Sequence, residues 1–222
     1  MDRKQATALT SLVIVIVLAA LAWYLDRANN DSPTATPPSA GPAPSAGDST
    51  AQLAGLVIAP EGKMAGYSRD RFPHWASQGN SCDTREVVLQ KQGTNVKADK
   101  DCKAVEGTWV SPYEGLTITN AADMDIDHTV PLAEAWRSGA AAWTDEDRKK
   151  FANDLGGVQL IAASAKTNRS KGDQDPAKWK PPAQTYWCKY AKDWISVKST
   201  YKLTIDQPEH DALASMLTSC AP

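Results

Sequence analysis

From position 56 onward, the pattern of apolar and polar residues changes period several times, and each change marks an element. Residues 86–89 (Glu-Val-Val-Leu) and 105–110 have strand character, with the turn-prone Gly93-Thr94-Asn95 between them, which predicts an antiparallel hairpin. Leu116-Thr117-Ile118-Thr119 and Met124-Asp125-Ile126-Asp127 alternate apolar with polar, as half-buried strands do. His128 lies just past the second. Thr144-Asp145-Glu146-Asp147 has the form of a capping box, predicting a helix over 145–153 that Gly156-Gly157 terminates. Residues 158–162 read as a short apolar strand. Ser164 is placed to cap a following helix that carries Thr167, Asn168 and Lys171 and stops at Gly172. Beyond Pro181-Pro182, Tyr186, Tyr190, Trp194 and Val197 recur at helical spacing, predicting a helix over 184–201 whose aromatic stripe faces a core. A last helix follows Pro208.

Upstream the pattern is different in kind. Residues 9–25 form an apolar run behind Arg3 and Lys4, which reads as a signal peptide or an N-terminal membrane anchor. Ala20-Leu21-Ala22 offers a cleavage site, whereas Trp23 and Tyr24 followed by Asp26 and Arg27 resemble the flank of an uncleaved anchor, and the balance tilts to the anchor. In both cases Arg3 and Lys4 stay inside and the chain beyond Asp26 is exported, either secreted or tethered to the outer face of the cytoplasmic membrane. Residues 27–55 are rich in Pro, Ala, Ser, Thr and Gly and hold too few large apolar side chains to offset the entropy of ordering, so they read as a disordered linker. The expected layout is therefore 1–26 signal or anchor, 27–55 linker and 56–222 one domain.

Export changes the reading of the four cysteines, Cys82, Cys102, Cys188 and Cys220. None forms a CxxC pair, and disulfides are expected instead of a structural zinc site. Of three connectivities, the one with the shortest loops pairs Cys82 with Cys102 and Cys188 with Cys220. A composition of 42% hydrophobic and 23% charged residues is that of a globular chain. From Leu56 onward 21 Lys and Arg face 22 Asp and Glu, so net charge gives no argument for a nucleic-acid partner. The distribution does: between Lys166 and Lys202, nine basic residues stand against three acidic ones.

The order Asp127-His128, Pro131, a helical insertion, the strand at 158–162 and then Asn168 with Lys171 is the layout of a ββα-metal site. On Asp125-Ile126-Asp127-His128-Thr129-Val130-Pro131-Leu132 and Asn168-Arg169-Ser170-Lys171-Gly172-Asp173 the chain resembles the HNH endonuclease superfamily, in particular exported actinobacterial HNH proteins with a GmrSD-like C-terminal nuclease domain. Similar DxDHxxP and NRxK elements occur in the HNH domain of RNA-guided CRISPR nucleases. The resemblance extends to Tyr67-x-Arg69 with Phe72 and Trp75, to Cys82-Asp83-Thr84-Arg85 and to Asp175-Pro176 with Trp179, most of residues 64–220.

The resemblance implies an α+β fold: a ββα-metal (HNH/His-Me finger) core with an added N-terminal β-hairpin and C-terminal helices, stapled by disulfides. It implies a metal-dependent endonuclease acting on DNA, with RNA left open as an alternative substrate. His128 is then the general base, Asp127 and Asn168 hold Mg²⁺ (or Mn²⁺), and Arg169 and Lys171 meet the phosphates, with Asn168 and Lys171 counted beside His128 as catalytic. The chemistry suits those residue types. Imidazole is substantially neutral at pH 7, and hard oxygen donors bind such cations while leaving positions for water or phosphate. Asp125, two residues before Asp127, falls on the same strand face and is expected to support the site. Asp83 and Arg85 are expected to form an ion pair beside Cys82.

Many HNH sites carry an asparagine before the second strand that orients the histidine, and Gly157 stands there in this chain. That role then falls to a backbone carbonyl, to Asn153 or Asp154, or is absent. A non-catalytic nucleic-acid-binding module and a cell-surface interaction domain are the competing readings, and no protein partner is implied. Surface or core roles are the default for His74 and His210.

Overall fold

The computed structural model describes residues 46–220. The apolar run at 9–25 and the linker up to residue 45 lie outside the described residues. Among the described residues no helix is long and apolar enough to cross a membrane. The first element is a helix, α1 (Ala46–Ala54), upstream of the expected boundary at Leu56. Leu53, the one large apolar side chain it carries, is buried, and the helix packs on two C-terminal helices.

The described residues form an α+β fold with three small open antiparallel sheets among them. β1 (Ser77–Gly79) pairs with β2 (Cys82–Asp83), and β3 (Thr94–Ala98), β4 (Ala104–Ser111) and β5 (Leu116–Ile118) form a three-stranded meander. β6 (Met124–His128) pairs with β7 (Leu160–Ser164). The helices are α2 (Thr84–Gln92), α3 (Leu132–Arg137), α4 (Asp145–Ala152), α5 (Ala165–Lys171), α6 (Trp187–Thr200) and α7 (Gln207–Leu217).

Two expectations for this region are overturned. Residues 86–89 are helical, within α2, and the strand partner of β4 is β3. The apolar run Val87-Val88-Leu89 is too short to show a period, but the residues before it decide the matter. Asp83 accepts a hydrogen bond from the Glu86 amide at 2.9 Å, an N-cap that starts a helix in which Thr84 and Val88, one turn apart, are both buried. Asp83 therefore caps a helix instead of pairing with Arg85. Arg85 pairs with Glu86 and donates to the carbonyls of Ala121 (3.1 Å) and Met124 (3.3 Å), which fixes the start of β6. Thr144 and Ser164 cap α4 and α5 as expected, and Gly172 ends α5 with φ of 57°. The aromatic stripe of α6 is core, with Tyr190 and Trp194 fully buried.

Both disulfides form with the short-loop connectivity, Cys82 to Cys102 and Cys188 to Cys220. The second ties α6 to the end of α7. Nearer the other end of α6, Lys198 is fully buried and donates to Glu134 (2.8 Å), Ser138 (2.7 Å), the Thr204 carbonyl (2.9 Å) and Glu209 (3.1 Å), joining α3, α6 and α7.

The hairpin β6–β7 lies between two apolar clusters. Met124, Ile126, Leu160 and Ala162 face the smaller one, with Val88, Leu89 and Trp109, while Ile161 and Ala163 face the larger one, with Tyr113, Tyr190 and Trp194. Alternation along β6 therefore sends Asp125 and Asp127 to the opposite side from Met124 and Ile126. The cap that converts residues 84–92 to helix gives a direct test. Asp83→Ala should lower stability by about 1 kcal/mol, and Asp83→Ser should recover most of it, in urea unfolding with the disulfides intact.

Candidate active site

β6 and β7 run antiparallel with Asp127 opposite Ile161 and His128 opposite Leu160, and α5 follows directly on β7. The turn after His128 is held by a residue the sequence reading passed over. Gln159, fully buried, accepts from the Val130 amide (3.1 Å) and donates to the Val130 carbonyl (2.8 Å), while the Thr129 hydroxyl donates to Val158 (2.6 Å). This turn carries Pro131, the N-cap of α3.

His128 is 4% exposed. One ring nitrogen, Nε2, lies 3.0 Å from the Ala152 carbonyl at the end of α4. A carbonyl only accepts, so Nε2 carries the proton, and in the neutral ring the lone pair is on Nδ1. The orienting group behind the histidine is thus a backbone carbonyl, and Gly157 instead donates its amide to Asp154 (3.0 Å). Burial pushes the His128 pKa down from 6.5 to about 3, with smaller contributions in the same direction from Arg69, Lys171 and His74. The ring is therefore neutral over the physiological range.

Trp75 stacks on the imidazole, with centroids 5.8 Å apart and planes 26° from parallel. Its φ of 57° is in the left-handed region, a strained conformation for a bulky residue, and its neighbours hold it there. Asn153, the residue after Ala152, accepts from the Ala76 amide (2.8 Å) and the Thr84 hydroxyl (2.7 Å) and donates to the carbonyls of Pro73 (2.7 Å) and Lys149 (2.8 Å). One side-chain amide thus binds residues 73–76 to the end of α4, whose last carbonyl aims His128. His74 is brought in as well: its Nδ1–H donates to Phe72 (2.9 Å), leaving Nε2 to accept from Arg69 at 3.4 Å.

Asp127 and Lys171 make a buried pair. The Lys171 ammonium, with no exposed surface, contacts both carboxylate oxygens of Asp127 (2.9 and 2.7 Å) and the His128 carbonyl (2.8 Å), and the Tyr113 hydroxyl donates to Asp127 from the other side. Burial pushes the Asp127 carboxyl up and the Lys171 ammonium down, each opposed by the charge of the other. Lys171, expected to meet substrate, is instead locked beneath the site by three acceptors.

The remaining expected residues border a cleft of about 280 Å³, lined among others by Tyr67, Arg69, Asp127, His128, Asn168 and Arg169. Asn168 is half-buried and donates its Nδ2 to Asp125 (3.2 Å), and exposed Arg169 lies 3.6 Å from the same carboxylate. Asp125 thus supports the Asn168 end of the site. Arg69 lines the same cleft.

As a donor set for a divalent ion, Asp127 and Asn168 fit by chemistry. Asp127 Oδ1 accepts from Lys171, which leaves it a second lone pair, and the Asn168 amide oxygen is free of the bond its nitrogen makes. The cost is that the ion would share Asp127 with a resident ammonium. A second acidic group, Glu61, Glu134 and Asp175, has oxygens within 4.8 Å of one another, a spacing a divalent metal could span. Those oxygens are already paired with Lys178, Arg137 and Lys198.

Two outcomes follow from this geometry. Lys171→Met leaves Asp127 buried without its counter-charge and should cost about 3–5 kcal/mol in urea unfolding, with Asp127→Asn in the same chain recovering part of the loss. In metal-free buffer, His128 takes up a proton near pH 6.5 when unfolded but only near pH 3 when folded, so it withdraws stability as pH falls between those values. Thermal unfolding of His128→Gln should accordingly show a shallower loss of stability than wild type from about pH 6.5 towards 4.

Comparison with known proteins adds a family to this geometry. No solved structure matches the chain. A protein described as an "Uncharacterized secreted protein" from Arthroderma benhamiae is 52% identical over 189 residues, covering 85% of this chain and 91% of that protein. Residues 84–216 match the family model of the GmrSD restriction endonucleases, C-terminal domain. That span holds β6, β7, α5 and every residue expected at the site, and it exceeds half of the chain, so the protein belongs to the GmrSD restriction endonuclease C-terminal domain family.

Proposed function

We propose that the protein is an exported HNH-type nuclease that hydrolyses phosphodiester bonds of DNA, with RNA the alternative substrate, and with His128 as general base. The observation that carries this reading is the state of the His128 ring: neutral, pinned through Nε2–H, with its lone pair on Nδ1 and its residue on the wall of a cleft between two arginines. β6, β7 and α5 are read here as the ββα-metal element of the superfamily. The family membership and the secreted character of the Arthroderma benhamiae relative support the reading.

The residues divide the work as follows. Arg69 and Arg169 offer guanidinium groups to a phosphodiester in the cleft. An anion held there favours the protonated imidazole, so its arrival raises the His128 proton affinity when a proton must be taken from the attacking water. The Ala152 carbonyl keeps the ring aimed and stabilises the imidazolium that forms. Asp127 and Asn168 would hold a divalent cation, which when bound stabilises charge on the phosphate and leaving oxygens. Lys171 and Tyr113 set the Asp127 carboxylate in place from behind.

The test is plasmid cleavage by the oxidised protein with Mg²⁺ or Mn²⁺ and with EDTA. Cleavage is expected with metal and not with EDTA, and His128→Ala should lower the rate by roughly 10²–10⁴-fold, the usual contribution of a general base. Intact plasmid in the presence of folded wild type and either ion would overturn the nuclease reading and leave nucleic-acid binding without chemistry.

A further inference from the structure

The cleft at His128 has one charge left over. Of the charged side chains on its wall, Asp127 faces the ammonium of Lys171 (2.7 Å), Asp173 faces the guanidinium of Arg137 (2.9 Å) and Arg169 faces the carboxylate of Asp125 (3.6 Å), so each is balanced where it stands. Arg69 is the remaining one, and among the described residues it forms no ion pair. Its Nε–H is instead donated to the imidazole of His74, at 3.4 Å. The two residues share a pivot. Arg69 opens the short helical turn Arg69–Arg71, which the Phe72 amide closes by donating to the Arg69 carbonyl (3.0 Å), and the Phe72 carbonyl in turn accepts from His74 Nδ1 (2.9 Å). Phe72 is fully buried, and Asn153 fixes Pro73 and Ala76 on either side of His74.

We propose that His74 is a positioning residue for the reaction: it holds Arg69 in the cleft through an uncharged acceptor, so that the guanidinium meets the substrate phosphate already oriented and with its charge intact. The proposal rests on the nuclease reading and gives it a residue outside the set of base and metal ligands. The tautomer is what allows the contact. With its proton on Nδ1, donated to Phe72, the ring turns the lone pair of Nε2 towards Arg69. A carboxylate in that place would hold the arginine more firmly but cancel the charge that the phosphate needs, and with no acceptor a long exposed side chain would have to be ordered when substrate arrives. Since only Nε is engaged, the two terminal nitrogens remain as the fork of donors that matches a pair of phosphate oxygens. A competing role is built into the same ring. His74 stands edge-on to Trp75, with centroids 5.3 Å apart and planes at 75°, and Trp75 stacks on His128, so a merely supporting His74 would act on the base and not on the phosphate.

The test uses a labelled single strand of about 8 nucleotides and the full chain with its disulfides intact: anisotropy in EDTA reads affinity, and cleavage with Mg²⁺ reads kcat and KM. His74→Asn keeps a donor near the place of Nδ1 and loses the Nε2 acceptor, whereas His74→Gln brings an amide oxygen to where Nε2 stands; the melting temperatures of both are checked first. His74→Asn should raise KM and weaken binding at least about threefold with kcat changed by less than about twofold, and His74→Gln should recover most of that loss. Arg69→Ala should weaken binding roughly tenfold or more, and adding His74→Asn to it should weaken binding by at most about another twofold, because the two residues act as one unit. A His74→Asn protein with unchanged KM and affinity, whatever its kcat, an equal loss in His74→Gln, or losses that multiply in the double variant would overturn the role given to His74, while cleavage by wild type leaves the nuclease reading standing. A wild type that binds the strand without cutting it would sink the nuclease reading, and the anisotropy series alone would then decide whether His74 holds Arg69. No binding by wild type would sink both.

Discussion

A buried ammonium holds the site together. Lys171 reaches from the end of α5 across the hairpin to the Asp127 carboxylate and the His128 carbonyl, and it does so in a region where an unpaired charge would be intolerable. Asp127 must face the larger apolar cluster because β6 alternates and its neighbours Ile126 and His128 face the other way. Two charges that neither water nor the core can accommodate singly are accommodated as a pair. The price is desolvation; the return is that strand end, turn and helix have one arrangement in which all partners are satisfied. His128 follows from this, since its backbone is one of the three acceptors.

The rest of the site is built from backbone groups. His128 is aimed by a carbonyl, the turn beyond it is clipped by Gln159 through one residue's amide and carbonyl, and Trp75 is held in its strained conformation by Asn153. Such contacts put few constraints on the identity of the partner residues but strong ones on the clip itself. They also explain how the site dispenses with a side chain at position 157.

What was legible in the sequence follows the same division. The alternation of 124–127, the caps at Thr144 and Ser164, the stop at Gly172 and the stripe on α6 are local patterns, set by residues within a turn or two of one another, and the structure reproduces them. The strand at 158–162 is displaced by two residues, to Leu160–Ser164, because Val158 and Gln159 are consumed in holding the turn. Residues 86–89 misled because three consecutive apolar residues carry no period, and the deciding signal was Asp83 followed three residues later by Glu86. Lys171 misled for another reason. A lysine in a basic segment looks solvated, and its counter-charge lies 44 positions earlier in the chain, where no local pattern points to it. Gln159 and Asn153 likewise have partners that are remote in the chain or belong to the backbone.

Asn153 carries a consequence beyond geometry. Its amide accepts twice and donates twice, to four groups in three separate stretches of chain. Aspartate would set a carboxylate against the Pro73 and Lys149 carbonyls, and glutamine would reach a methylene too far. Among the twenty residues this position admits one, and spontaneous deamidation there would be a single-atom chemical lesion felt at the imidazole through Ala152 and Trp75 alike.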